Sequence, residues 1–152
     1  MTTTIDKVID DVLVREGGPA ATSDNADRGG RTQHGISEAA HPQAWADNTV
    51  TEKEAREIYL QKYVVFPRFH LIPPTHGKVQ AQLIDFGVTS GPQLVIQKLQ
   101  AILGVDVDGM FGPQSQAALV KADPREVNNR LVAERIRMIG RIVSKNPSQA
   151  RF

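Results

Sequence analysis

The sequence VREGGP places a carboxylate, Glu16, at the end of an apolar stripe and then stops the helix that carries it. Apolar residues recur at helical spacing before it, at Ile5, Val8, Ile9, Val12 and Leu13. The pair Gly17 and Gly18 tolerates the left-handed backbone of a helix end, and Pro19 prevents continuation. The pattern predicts a helix that ends at or beside Glu16, with the carboxylate turned inward or into a cleft.

A carboxylate at such a position has an unusual environment. It loses solvent and faces the negative end of the helix dipole, and both effects favour the protonated form. A carboxylic acid that keeps its proton near neutral pH is suited to general acid catalysis. Periodicity alone leaves open the alternative that Glu16 lies at the frayed, exposed edge of the stripe.

The polar segment after this helix supplies further candidate groups. Residues 19–36 show no apolar periodicity, and RGGRTQHGI predicts a tight turn and a short polar β-hairpin. If the segment folds back over the helix end, Asp24, Asp27 and Thr32 come near Glu16. An acid, a second carboxylate and a hydroxyl group are what glycosidic bond hydrolysis needs.

The rest of the chain reads as helices. TEKEAREIYLQKYVVF begins with a Thr51 and Glu54 capping box and carries Tyr59 and Tyr63 on its apolar side. Four further helices are expected in KVQAQLIDFGVTSG, PQLVIQKLQAILG, the end of VDVDGMFGPQSQAALVKA and DPREVNNRLVAERIRMIGRIVSKN. Trp45 is expected in a surface loop. The fold class predicted from these elements is mainly α, with one small hairpin.

Two groups of motifs resemble a known family. The order EGG followed by D.GG.T..GIS, which spans residues 16–37, resembles the glycoside hydrolase 108 muramidases, found as phage endolysins and related bacterial secretion proteins. LIDFGVTSG and LQAILGVDVDGMFGPQSQAAL resemble the C-terminal peptidoglycan-binding region that accompanies them. The resemblance implies an α+β lysozyme-like fold and cleavage between N-acetylmuramic acid and N-acetylglucosamine.

The resemblance also implies roles for individual residues. The catalytic glutamate falls on Glu16, and Asp27 and Thr32 take the water-handling roles. The interval from Glu16 to Asp27 is about two residues longer than the family pattern, so Asp24 stays an alternative second carboxylate. Substrate-binding roles are expected for the polar residues Asp24, Gln33, His34 and Asp85. We expect one compact domain with two lobes, a catalytic lobe at 1–74 and a helical lobe at 75–152.

Composition excludes several classes of site and partner. The 152 residues contain no cysteine, which rules out disulfides, thiolate metal sites and cysteine nucleophiles. The four histidines lack paired ligand spacing, so we predict neither a metal site nor a cofactor. A net charge of +1 disfavours nucleic acid as a partner. Residues 125–151 hold seven Lys and Arg against two Glu, a pattern of either a solvated helix face or a contact with an anionic cell surface.

The N-terminal run MTTTIDKVIDD lacks a basic segment followed by an apolar block. We therefore expect a monomeric endolysin made in the host cytoplasm, released through a holin-like pore to act on bacterial peptidoglycan in the periplasm. Two alternatives stay open: a lytic transglycosylase, for which one glutamate suffices, and a non-catalytic module that binds the cell wall.

Overall fold

The computed structural model describes residues 3–18, 22–23 and 30–145, with the backbone alone at 22–23 and 142–145. The chain divides into two compact units, residues 1–66 and 67–152. This division falls earlier than the boundary after residue 74 expected from the sequence, and the two predicted lobes stay a prediction.

The first helix forms as its sequence predicts. Helix α1 spans Thr4–Arg15, and its start is a capping box in which Thr3 and Asp6 each bind the other's backbone N–H. At its end the N–H of Gly18 donates to the carbonyl of Leu13 at 3.4 Å, a bond typical of helices closed by glycine. The buried face of α1 comprises Val8, Ile9, Val12 and Leu13.

A small antiparallel sheet follows. Strands β1 (Thr22–Ser23), β2 (Arg31–Gln33) and β3 (Ile36–Ser37) lie in that order. The β2–β3 hairpin confirms the prediction, with Thr32 opposite Ser37 and Gln33 opposite Ile36. Strand β1 was not predicted, because two residues give no detectable alternation of apolar and polar side chains.

The second predicted helix forms over residues 52–65 but changes type before it ends. Helix α2 spans Glu52–Leu60, and Thr51 and Glu54 form the predicted capping box. The chain then continues as a π-helical turn over Gln61–Val65. Such turns are rare within helices and frequently lie near functional sites.

The second unit is helical. Two 3₁₀ turns, at Phe69–Leu71 and Pro74–His76, precede its helices. The four helices are α3 (Gly77–Ser90), α4 (Pro92–Leu103), α5 (Pro113–Lys121) and α6 (Pro124–Lys145), and all four lie in segments predicted to be helical. Helices α3, α4 and α6 pack on one another, and their fully buried side chains include Val79, Leu83, Phe86, Val95, Leu99 and Leu131. In the described part of the chain, every helix is too short or too polar to cross a lipid bilayer.

A buried amide organises the turn between α4 and α5. Gln100 is 1% exposed, and its Nε2 donates to Asp108 Oδ1, the Met110 carbonyl and Ser115 Oγ at 2.8 to 3.0 Å. Its Oε1 accepts the backbone N–H groups of Asp108 and Gly109. Asp108 Oδ1 also accepts the Met110 N–H at 2.9 Å, and this bond, followed by the one from Gln100, lowers the pKa of Asp108. The side chain therefore fixes the path of the turn.

Candidate active site

Glu16 lies at the C-terminal cap of α1, where its backbone N–H donates to the Val12 carbonyl at 2.9 Å. Its side chain is 37% exposed, and Arg15 Nε lies 3.7 Å from its Oε1. The carboxylate is therefore on the border between the packed face of α1 and solvent. This position lies between the two alternatives that the sequence left open, the inward-turned carboxylate and the exposed edge.

The hairpin turn folds back over the end of α1, which is the arrangement that the predicted cluster around Glu16 requires. The His34 N–H donates to the Gly18 carbonyl at 2.9 Å, which ties the turn to the glycine pair after Glu16. His34 and Gly35 both have positive φ angles, 52° and 79°. The Tyr59 hydroxyl donates to the His34 carbonyl at 3.3 Å from the other side. The turn is thus held between α1 and α2.

Gly35 permits this close approach because it has no side chain. A Cβ atom at this position would overlap with Tyr59 Oη and would lie 2.8 Å from Glu16 Cβ and 3.3 Å from the Glu16 carbonyl oxygen. Tyr59 is buried beside Glu16, and burial, followed by the charge of Glu16, raises the pKa of Tyr59 to about 12. Glu16, Gly35 and Tyr59 therefore form one packed group.

Strand β2 presents its side chains to opposite sides. Gln33 Oε1 accepts from the Thr49 hydroxyl at 2.9 Å and from the Val50 N–H at 2.7 Å. Its register partner Ile36 is 2% exposed, so this is the packed face of the sheet. Thr32 lies on the opposite face. Three residues of extended chain span about 11 Å at most, so Thr32 stays close to the turn that contacts Glu16.

Trp45 lies in a loop, as predicted, but its ring packs on the buried face of the sheet instead of lying at the surface. The ring is 3% exposed, and its Nε1 donates to the Ile36 carbonyl at 3.0 Å. The Arg31 guanidinium lies 4.7 Å from the ring centroid and makes two hydrogen bonds to the Glu38 carboxylate, at 3.2 and 2.6 Å. These bonds lower the pKa of Glu38. Trp45 is thus buried although most residues around it, among them Pro42, Gln43 and Ala46, are exposed.

The outcome differs among the remaining predicted site residues. Asp24 and Asp27 lie outside the described residues. His34 is 7% exposed, and the sugar contacts predicted for it and for Gln33 stay predictions. Asp85 belongs to the second unit, where its Oδ2 accepts from Arg135 Nη1 at 2.6 Å, and its predicted contact with substrate is likewise untested. Within the described ranges, no group of three or more His, Asp or Glu side chains is placed to hold a metal ion.

Residues 9–91, which include Glu16 and the hairpin, match the model of the family described as glycosyl hydrolase 108. The chain belongs to the glycosyl hydrolase 108 family. Residues 95–152 match a second model, described as a predicted peptidoglycan domain. Together the two matches identify a glycoside hydrolase that acts on peptidoglycan.

A solved structure shares the fold of this glycosyl hydrolase 108 chain. The structure of Brucella abortus SagA matches with a TM-score of 0.71 and 26% sequence identity, over 97% of this chain and 90% of that one. The predicted mainly α, lysozyme-like fold is confirmed. A search of curated proteins gave no match to the chain.

Sequence reasoning missed the part that Tyr59 plays in this glycosyl hydrolase 108 site. The pattern placed Tyr59 on the apolar side of a helix, and it is 5% exposed. A tyrosine in a buried stripe needs a partner for its hydroxyl, which is a signal that something polar packs against that side. The identity of the partner, the His34 carbonyl, depends on how the hairpin folds back and has no local signature.

Proposed function

We propose that the protein is an N-acetylmuramidase, cleaving peptidoglycan glycan strands between N-acetylmuramic acid and N-acetylglucosamine. One observation carries the proposal: Glu16 combines a fixed backbone at the end of α1 with a carboxylate that is 37% exposed, within the region that matches the hydrolase family. A general acid needs this combination, because it must be positioned and must also reach the substrate.

In the proposed reaction, Glu16 in its acid form donates a proton to the glycosidic oxygen as the bond from that oxygen to the anomeric carbon breaks. Positive charge develops on the sugar ring, and a water molecule adds to the anomeric carbon and gives a proton to an active-site carboxylate, so that the site regains the proton that Glu16 donated. We assign the balancing carboxylate to Asp27, with Asp24 as the alternative, and the orientation of water to Thr32. Gln33, His34 and Asp85 are proposed sugar contacts.

The test is Glu16→Gln, which keeps the side-chain volume but has no proton to donate. We expect helicity and melting temperature to stay near those of the unchanged protein. Lysis of permeabilised Gram-negative cells, followed by turbidity, should fall by about 10² to 10⁴. Glu57→Gln is the matched control, since it neutralises an exposed carboxylate on α2 and should leave lysis unchanged. A folded Glu16→Gln protein that lyses cells normally would contradict the proposal.

Product analysis separates the proposal from its alternatives. Mass spectrometry of digested peptidoglycan should give muropeptides with reducing-end N-acetylmuramic acid. Products lighter by one water would identify a lytic transglycosylase, in which the sugar's own hydroxyl closes the ring. Retained binding to sacculi without any released product would identify a wall-binding module.

We further propose that this activity serves lysis of a bacterial host, with release from the cytoplasm through a holin-like pore. The proposal rests on the substrate, because peptidoglycan lies outside the membrane that encloses the site of synthesis. Expression in a bacterium with and without a co-expressed holin tests it. Lysis should depend on the holin, and lysis without one would point to a different export route.

A further inference from the structure

We propose that Tyr59 is a positioning residue for Glu16, acting through the hairpin turn that its hydroxyl holds against the end of α1. The inference deepens the proposed function and rests on it, since it assumes that Glu16 is the general acid. Tyr59 itself makes no contact with substrate in this account.

The contacts of the turn support this role. On the α1 side, the His34 N–H donates to the carbonyl of Gly18, two residues after Glu16, at 2.9 Å. On the α2 side, the His34 carbonyl accepts from Tyr59 Oη at 3.3 Å. Between these bonds, Gly35 leaves no room for a methyl group against either Glu16 or Tyr59. A shift of the turn therefore changes the packing of the Glu16 side chain directly.

The tyrosine is well fixed. Its side chain is 5% exposed, and its ring stacks on Tyr63 with centroids 5.7 Å apart and an interplanar angle of 27°. The charge of Glu16 contributes to the raised pKa of Tyr59, which agrees with their proximity. A ring held by burial and by a stacked neighbour keeps its hydroxyl in one place.

Removal of the hydroxyl should affect the chemical step more than binding. Without it, the His34 carbonyl loses its donor from α2, and the turn is held from the α1 side only. A misplacement of about 1 Å at a catalytic group can cost about 10²-fold in rate. We therefore expect Tyr59→Phe to lower kcat by about 10- to 100-fold, with a smaller change in KM, because, of the proposed glycan contacts in the described residues, only His34 lies in the turn itself.

Tyr63→Phe is the matched control. It removes the same hydroxyl from the stacked neighbour on the following turn, whose ring is less buried, and should leave kcat at the level of the unchanged protein. Both variants are assayed on soluble glycan fragments of peptidoglycan at a temperature where circular dichroism shows them folded. Replacement of Tyr59 by p-aminophenylalanine, which restores a donor at the same point, should recover kcat.

Combination with Glu16→Gln tests the role of Tyr59 separately from the role of Glu16. If Tyr59 acts through Glu16, Tyr59→Phe should not reduce the residual rate of Glu16→Gln further. A normal kcat in folded Tyr59→Phe, equal losses in Tyr59→Phe and Tyr63→Phe, failure of the amine to rescue, or additive losses with Glu16→Gln would each overturn the inference. Full activity of Glu16→Gln would instead refute the proposed function itself.

Discussion

Replacement of Gly35 by alanine should be unusually costly for a change of one methyl group. The φ angle of 79° disfavours any residue with a Cβ by about 1 to 2 kcal/mol. The new methyl group must also displace Tyr59 Oη, and a buried His34 carbonyl without that donor costs about 1 to 3 kcal/mol more. The expected loss in the free energy of unfolding is therefore about 2 to 5 kcal/mol.

Gly30→Ala is the control that separates the steric cost of a methyl group at position 35 from the cost of the backbone conformation. Its φ of 68° carries the same backbone cost, but among the described residues a Cβ atom there meets only Glu38 Oε1, at an ordinary 3.6 Å. Urea unfolding followed by circular dichroism should give a loss of about 1 to 2 kcal/mol for this variant. Equal losses in Gly30→Ala and Gly35→Ala would refute the close packing of Gly35, Tyr59 and Glu16. Hydrolysis of peptidoglycan should fall further in Gly35→Ala than in Gly30→Ala.

Three more outcomes are expected. Asp27→Asn should reduce turnover of peptidoglycan more than Asp24→Asn does, and the opposite order would assign the second carboxylate to Asp24. The pKa of Tyr59 is raised from 10 to about 12, so between these pH values the folded protein keeps a proton that the unfolded chain releases. The free energy of unfolding should therefore fall over this range by at most about 3 kcal/mol. Urea titrations at alkaline pH should show a smaller fall in Tyr59→Phe, and an identical fall would contradict the burial of the hydroxyl. Reversing the charge of Arg137 and Arg141, both exposed on α6, should weaken binding to purified sacculi at low salt and less so at high salt, whereas unchanged binding would identify a solvated helix face.

Features with a local physical cause were predictable from the sequence. The glycine pair after Glu16 predicted that α1 ends at or beside Glu16, and the helix ends at Arg15 with Glu16 as its cap. The tight turn in RGGRTQHGI correctly indicated a hairpin, because residues that tolerate positive φ lie between two short polar runs.

Features that depend on contacts distant along the chain were not predictable. Trp45 lies in a segment rich in turn residues, which suggested a surface loop, yet the underside of the sheet buries it. Strand β1 exists only because β2 pairs with it, at Thr22 opposite Thr32. The contact of Tyr59 with the His34 carbonyl joins residues 25 positions apart, and no periodicity reports such a pair.

In the peptidoglycan domain, the amide of Gln100 fixes the backbone of the turn between α4 and α5, while other side chains of that turn stay exposed. The five hydrogen bonds that it makes hold the turn from beneath, through backbone groups and the side chains of Asp108 and Ser115. Val107 and Met110, on the same turn, are 55% and 64% exposed. Since the shape of the turn is set by a side chain on α4, these two positions can vary in size and polarity without a change of backbone. They form a natural place to diversify the surface by directed evolution while the fold beneath is kept.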